Sequence, residues 1–110
     1  EPLSPARHAG NIAGRTVLVD CLTLWATNLF FANEDDDMAA FEAFRREFDA
    51  LLDAGCGNLI LVTNEIGLGG ISPNAMQRRF TDLQGRVNRL AAERADSVYL
   101  MISGIPLHIK

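Results

Sequence analysis

The segment Asn58-Leu-Ile-Leu-Val-Thr-Asn-Glu65 decides the fold of this chain. It opens with a short, continuously apolar run, which is typical of a strand buried inside a sheet, and we predict a strand over residues 58–63. The sequence then turns polar at Thr63, Asn64 and Glu65, and glycines follow at positions 67, 69 and 70. Such a strand end fits either an ordinary strand-to-helix connection or the floor of a binding site.

The segments around this strand alternate between strand and helix patterns. Further strands are predicted at residues 16–20 and 97–103, and residues 106–110 can return as an antiparallel edge strand after Gly104.

Helices are predicted over residues 23–31 and 36–54, where apolar side chains recur every three or four positions. A third helix is predicted to begin after Ser72 as its N-cap, with Pro73 at its first position. Strand, helix and strand in succession favour an α/β fold, in which a parallel sheet lies between helix layers. Three strands make a thin sheet for such a fold, and the chain opens with Glu1 rather than methionine. We therefore expect an N-terminal part of a larger domain to be missing.

Composition and charge narrow the class of protein. The 110 residues suffice for one domain with a buried core, and the net charge of -4 argues against a nucleic acid as the main partner. No apolar run approaches the roughly 18 to 20 residues that span a bilayer, and no signal peptide opens the chain. Cys21 and Cys56 are expected to be buried free thiols rather than a disulfide or a zinc site. We expect a cytoplasmic protein.

Two carboxylates follow the predicted strands directly, Asp20 and Glu65. Ligands of open parallel sheets bind at the carboxyl ends of the strands, where a carboxylate can hold Mg²⁺ directly or through water. Alternatively, Asp20 caps the helix that begins after Cys21, and Glu65 has a structural role. The pattern leaves both interpretations open.

The other candidate features are weaker. Gly67-Leu-Gly-Gly-Ile-Ser72 is not followed by lysine and has Ser72 where a third dinucleotide-binding glycine would stand, so we predict a tight turn rather than a phosphate loop. His8 and His108 have no nucleophile at a suitable spacing, and we expect both to be incidental. Arg86 in the third helix can contact a phosphate or form a solvated pair with Asp82.

Four blocks of the sequence resemble one known family in order and spacing. They are Leu18-Val-Asp-Cys-Leu-Thr-Leu-Trp-Ala-Thr-Asn-Leu29, Leu61-Val-Thr-Asn-Glu-Ile-Gly67, Gly85-Arg-Val-Asn88 and Ser103-Gly-Ile-Pro-Leu107. The family is the bifunctional adenosylcobinamide kinase/adenosylcobinamide-phosphate guanylyltransferase of cobalamin biosynthesis. The resemblance runs from about Arg15 to Lys110.

The resemblance implies a P-loop NTPase of the RecA-like type, with a parallel sheet between helices and a C-terminal antiparallel edge hairpin. Members of the family assemble as trimers. They phosphorylate adenosylcobinamide with a nucleoside triphosphate, and then transfer GMP from GTP to adenosylcobinamide phosphate through a GMP-histidine intermediate. The resemblance therefore implies Mg²⁺ with ATP or GTP, and adenosylcobinamide, as the molecules that the full-length protein binds.

The resemblance also assigns residues to the site. Asp20 stands at the acidic position that contacts the guanine nucleotide. The residues expected to shape the site are Thr63, Asn64, Glu65, Arg86 and Asn88.

Other parts of the family's machinery have no counterpart in this sequence. The phosphate loop and the histidine that carries GMP belong to the family's N-terminal part, and neither His8 nor His108 stands in that context, so no catalytic or metal-ligating residue is predicted. We expect residues 1–15 to be loosely structured, residues 16–110 to be the C-terminal part of the nucleotide-binding domain, and the chain alone to be inactive.

Two other interpretations remain open from the sequence. The chain can be a non-catalytic nucleotide-binding or assembly module of the same fold. It can also be an unrelated α/β enzyme in which Asp20 and Glu65 form a metal pair.

Overall fold

The chain alternates strands and helices along its length. A computed structural model describes residues 12–65 and 73–110. The elements are β1 (Thr16–Asp20), α1 (Leu22–Ala32), α2 (Asp37–Asp53), β2 (Asn58–Val62), α3 (Ala75–Arg94), β3 (Tyr99–Ile102) and β4 (Ile105–His108). The order and type of these elements agree with those predicted from the sequence. The predictions for His8, the glycine-rich turn and Ser72, and most of the prediction for residues 1–15, lie outside the described residues.

Strands β1 and β2 form a parallel pair, in register from Thr16 opposite Asn58 to Asp20 opposite Val62. Side chains of a strand alternate between the two faces of its sheet, and here the alternation separates a packed face from an open one. The packed face contacts the helical core through Val17, Val19, Leu59 and Leu61. The open face carries Leu18, Ile60 and Val62, which are 62%, 52% and 42% exposed. In the described part of the chain, the helices therefore cover one face of this sheet and not both.

Strand β3 pairs antiparallel with β4, from Tyr99 opposite His108 to Ile102 opposite Ile105, which confirms the predicted hairpin. The prediction that β3 continues the parallel sheet is wrong for the described strands, because they form two separate two-stranded sheets. An apolar run specifies a strand but not its neighbour. Met101 in β3 is 59% exposed, so β3 is not held beside β1 or β2 by a buried apolar face.

The core lies among the three helices and the packed face of β1–β2. Its largest buried side chains are Trp25, Phe30, Phe44 and Phe48. Trp25 meets Phe44 edge to face at 4.8 Å between ring centroids, and Phe44 stacks on Phe48 at 5.3 Å. Aromatic pairs in these arrangements add to the stability that their buried area already provides. Within the core, Trp25 therefore joins α1 to α2 through its contact with Phe44.

The ends of the helices follow local hydrogen-bonding rules. Asp36 caps α2, its Oδ1 accepting a hydrogen bond from the backbone N–H of Ala39 at 3.1 Å. Asn74 caps α3, two residues after the predicted N-cap position, its Oδ1 accepting from the N–H of Gln77 at 3.0 Å. Asparagine is at least as good an N-cap as serine, and the helix consequently begins two residues later than predicted.

The structure describes both cysteines and the helices α1, α2 and α3. Cys21 and Cys56 are free thiols as expected, but both are half-buried rather than buried. Among the helices that the structure describes, none combines the length and the apolar character needed to cross a membrane.

Lys110 attaches the end of the β3–β4 hairpin to α3. Its Nζ donates hydrogen bonds to the backbone carbonyls of Ala92, Glu93 and Ala95, at 2.9, 3.1 and 2.7 Å. These carbonyls lie at the C-terminal end of α3, where carbonyl groups lack intrahelical donors and the helix dipole favours a cation. One side chain therefore both caps the helix and holds the hairpin.

Replacing Lys110 with methionine is expected to lower the free energy of unfolding by about 1 kcal/mol, because the charge and three donors at the helix end are lost. Urea denaturation of the protein measures this loss. Lys110→Arg keeps the charge and should retain most of the stability. Equal losses in both variants would contradict the capping role.

Candidate functional site

The carboxyl ends of β1 and β2 lie side by side at one edge of the parallel pair. Asp20 is opposite Val62 in the register. Thr63 follows Val62 directly, so Asp20 and Thr63 lie at the same edge of the sheet. The predicted site residues of the two strands are therefore neighbours along this edge. They differ in the face of the sheet that they occupy.

Asp20 is exposed and falls on the open face, in phase with Leu18. None of the described residues donates a hydrogen bond to its carboxylate. The alternative that Asp20 caps α1 is not supported, because the N-cap of α1 is Cys21 and no side chain completes the cap. The carboxylate is thus available to a ligand that approaches the strand end from the open face.

Thr63 takes part in a hydrogen-bonded group with α3. Its Oγ1 donates to Asn88 Oδ1 at 2.6 Å and accepts from Gln84 Nε2 at 2.9 Å. Gln84 Nε2 also donates to Asn88 Oδ1 at 2.9 Å, and Asn88 Nδ2 donates to the backbone carbonyl of Asn64 at 3.0 Å. We call Thr63, Asn64, Gln84 and Asn88 the strand-end group. It joins three of the predicted site residues, Thr63, Asn64 and Asn88.

Gln84 is the member that sequence reasoning missed. Its side chain is fully buried, at 0% exposure, although glutamine usually lies at the surface. The available signal was position: Gln84 falls between the buried residues Leu83 and Val87 and one helical turn before Asn88, so it lies on the inner face of α3. Gln84 Oε1 is buried without a hydrogen-bond partner among the described residues, and so is Thr23 Oγ1 in the first turn of α1.

Glu65 is exposed at the limit of the described segment that follows β2. Over residues 12–65 and 73–110, no three histidine, cysteine, aspartate or glutamate side chains cluster closely enough to hold a metal ion. The described residues therefore offer no third protein ligand for a metal ion bound by Asp20 and Glu65. Mg²⁺ is commonly held by one or two carboxylates together with substrate phosphates, a role open to Asp20.

Arg86 lies apart from the strand-end group. Two residues along a helix are separated by about 200° around its axis, so Arg86 and Asn88 occupy nearly opposite sides of α3. Arg86 contacts the sulfur of Met38 in α2. It lines an open groove of about 370 Å³ between α2 and α3, whose other lining residues are Phe41, Arg45, Arg89, Leu90 and Glu93. The predicted role of Arg86 in shaping the site stays a prediction, since the structure does not bring it to the strand ends.

The geometry defines a class of protein. An α/β chain with a parallel strand pair presents an exposed carboxylate and an ordered polar group at the carboxyl ends of its strands, which is where proteins of this class bind ligands. The group offers hydrogen-bond donors and acceptors but no activated nucleophile. It is therefore equipped to bind and orient a ligand.

Comparison with known proteins agrees with this class and names the family. The chain belongs to the cobinamide kinase / cobinamide phosphate guanyltransferase family, whose family model matches residues 2–109. The resemblance identified from the four sequence blocks is confirmed.

Individual relatives give the same result. The chain is 38% identical to the bifunctional adenosylcobalamin biosynthesis protein CobU of Salmonella typhimurium, over 86% of this chain and 58% of the relative. It is 39% identical to the bifunctional adenosylcobalamin biosynthesis protein CobP of Pseudomonas aeruginosa, over 89% and 55%. It is 36% identical to the CobU protein of Escherichia coli, over 94% and 62%. The chain thus spans little more than half the length of these curated relatives.

Proposed function

We propose that this chain forms one wall of the nucleotide site of an enzyme that phosphorylates adenosylcobinamide and then transfers GMP from GTP to adenosylcobinamide phosphate. The observation that carries the proposal is the edge of the sheet where Asp20 presents an exposed carboxylate beside the strand-end group. The family to which the chain belongs is described by these two activities, which supports the choice of substrates.

In this proposal, Asp20 contacts the guanine nucleotide. An ionised carboxylate only accepts hydrogen bonds, so it suits the N–H groups of a guanine base or the hydroxyls of a ribose. The strand-end group holds Thr63 and Asn64 in place beside it. Mg²⁺ enters with the phosphates of ATP or GTP as part of the substrate, and we assign no catalytic residue to this chain.

The remaining parts of the enzyme belong to the same proposal. No GxxxxGK[ST] sequence occurs in the 110 residues, so we assign the phosphate loop to another part of a longer protein. We assign the histidine that carries GMP to that part as well. Parallel sheets are normally covered on both faces, and the exposed Leu18 and Ile60 are suited to contact that part. We further propose a P-loop NTPase fold, a homotrimer and a cytoplasmic location, where both nucleotide substrates are available.

The proposal is tested with the native protein that contains this chain. Incubation with adenosylcobinamide, ATP and GTP should yield adenosylcobinamide phosphate and then the GMP adduct, both followed by mass spectrometry. Omitting GTP should leave the phosphorylated intermediate when ATP serves as donor. Absence of both products would contradict the proposal, and specific GTP binding without turnover would support a non-catalytic nucleotide-binding module instead.

A further inference from the structure

We propose that Gln84 is a positioning residue, which sets the direction of every hydrogen bond in the strand-end group and so holds the backbone at Asn64 for ligand binding. The inference rests on the proposed function for the identity of the ligand. Its structural basis is independent, since it depends only on the contacts of a fully buried side chain.

The hydrogen-bond directions follow from the amide nitrogen of Gln84. Nε2 has two hydrogens and no acceptor capacity, and it donates one bond to Thr63 Oγ1 and one to Asn88 Oδ1. Because Thr63 Oγ1 already accepts from Gln84, its own hydrogen is directed to Asn88 Oδ1. Asn88 Oδ1 therefore faces two donors, which fixes the orientation of the Asn88 amide.

The fixed orientation of Asn88 determines which of its atoms contacts the backbone of the strand end. With Oδ1 turned toward Gln84 and Thr63, Asn88 Nδ2 faces the carbonyl of Asn64 and donates to it. This bond ties the residue after Thr63 to α3 at the point where the chain leaves β2. Residues 64 and 65 are exposed, so what Gln84 controls is the placement of groups that a ligand can reach.

Replacing the donor at position 84 with an acceptor tests directly whether Gln84 sets these hydrogen-bond directions. Gln84→Glu keeps the shape of the side chain, and its ionised carboxylate offers only acceptors, so Asn88 then turns Nδ2 toward residue 84 and presents Oδ1 to the Asn64 carbonyl. Asn88→Asp loses the donor to Asn64 while leaving Gln84 in place, and it provides a second route to the same state. Gln77→Glu is the matched control, because it makes the same chemical change at an exposed position of α3.

Two measurements on the native protein are needed. Hydrogen exchange of a peptide covering residues 61–65 reports the strand end without reference to function. Steady-state kinetics with GTP separates KM from kcat. In both Gln84→Glu and Asn88→Asp, we expect exchange to be about five- to tenfold faster and the KM for GTP to rise by a similar factor, from the loss of one hydrogen bond, with kcat changed less than about twofold.

A purely structural role for Gln84 predicts a different pattern, in which the melting temperature falls while exchange at residues 61–65 and the KM of the folded enzyme stay at wild-type values. That pattern, or changes of the same size in Gln77→Glu, would overturn the inference. If the wild-type protein proves inactive with GTP, the proposed function fails, and unchanged exchange in both variants would then separately reject the role of Gln84.

Discussion

Replacing Phe44 with alanine is expected to lower the free energy of unfolding by about 3–5 kcal/mol. Phe44 has 0% exposure and lies between Trp25 and Phe48, with centroid distances of 4.8 and 5.3 Å. The substitution removes a ring that joins α2 to Trp25 of α1 and leaves a cavity in the core. Urea denaturation followed by tryptophan fluorescence is a suitable measurement, because Trp25 contacts Phe44 directly in the core.

Phe31→Ala is the matched control for this substitution. Phe31 is 63% exposed and contacts Phe30 at 6.0 Å between centroids, so its loss should reduce stability by about 1 kcal/mol or less. Similar losses for the two variants would contradict the importance of the buried Phe44 ring for the core.

Replacing Asp20 with alanine is expected to weaken the affinity of the native protein for GTP by about 10- to 100-fold, the effect of losing a hydrogen bond to a charged group. The fold should tolerate the change, since Asp20 is exposed and caps no helix. Isothermal titration calorimetry with GTP in the presence of Mg²⁺ measures the affinity.

Asp53→Ala supplies the control at the opposite edge of the sheet. Asp53 is exposed at the end of α2, just before the amino end of β2, so its removal should leave GTP affinity unchanged. An Asp20→Ala protein that binds GTP as tightly as the wild type would reject the role proposed for Asp20.

Much of the fold could be predicted because local patterns determine it. The apolar run after Asn58 gave β2 to within one residue, and the spacing of Phe44, Phe48 and Leu51 gave the buried face of α2. Gly55 follows the end of that helix with φ of 76°, a conformation that glycine adopts without strain. In the site, adjacent parallel strands necessarily brought Asp20 and Thr63 to the same edge.

The features that could not be predicted depend on contacts between distant residues. The apolar pattern of β3 does not state which strand it pairs with, and the structure pairs it with β4 alone among the described strands. Glutamine is typical of a surface, and only the packing of α3 places the amide of Gln84 against Thr63. No local pattern marks Lys110 as a helix cap, and only the fold brings its Nζ to the last turn of α3. Arg86 matched a family block by spacing, but helix geometry turned it toward α2.

The central claim is that the carboxyl ends of β1 and β2 bind a nucleotide. Hydrogen–deuterium exchange of the native protein, with and without saturating GTP and Mg²⁺, tests it without any substitution. We predict that GTP slows exchange in peptides covering residues 20–23 and 63–65 and leaves the β3–β4 hairpin unchanged. Protection by GTP that spares both strand ends, while the protein demonstrably binds the nucleotide, would contradict the claim.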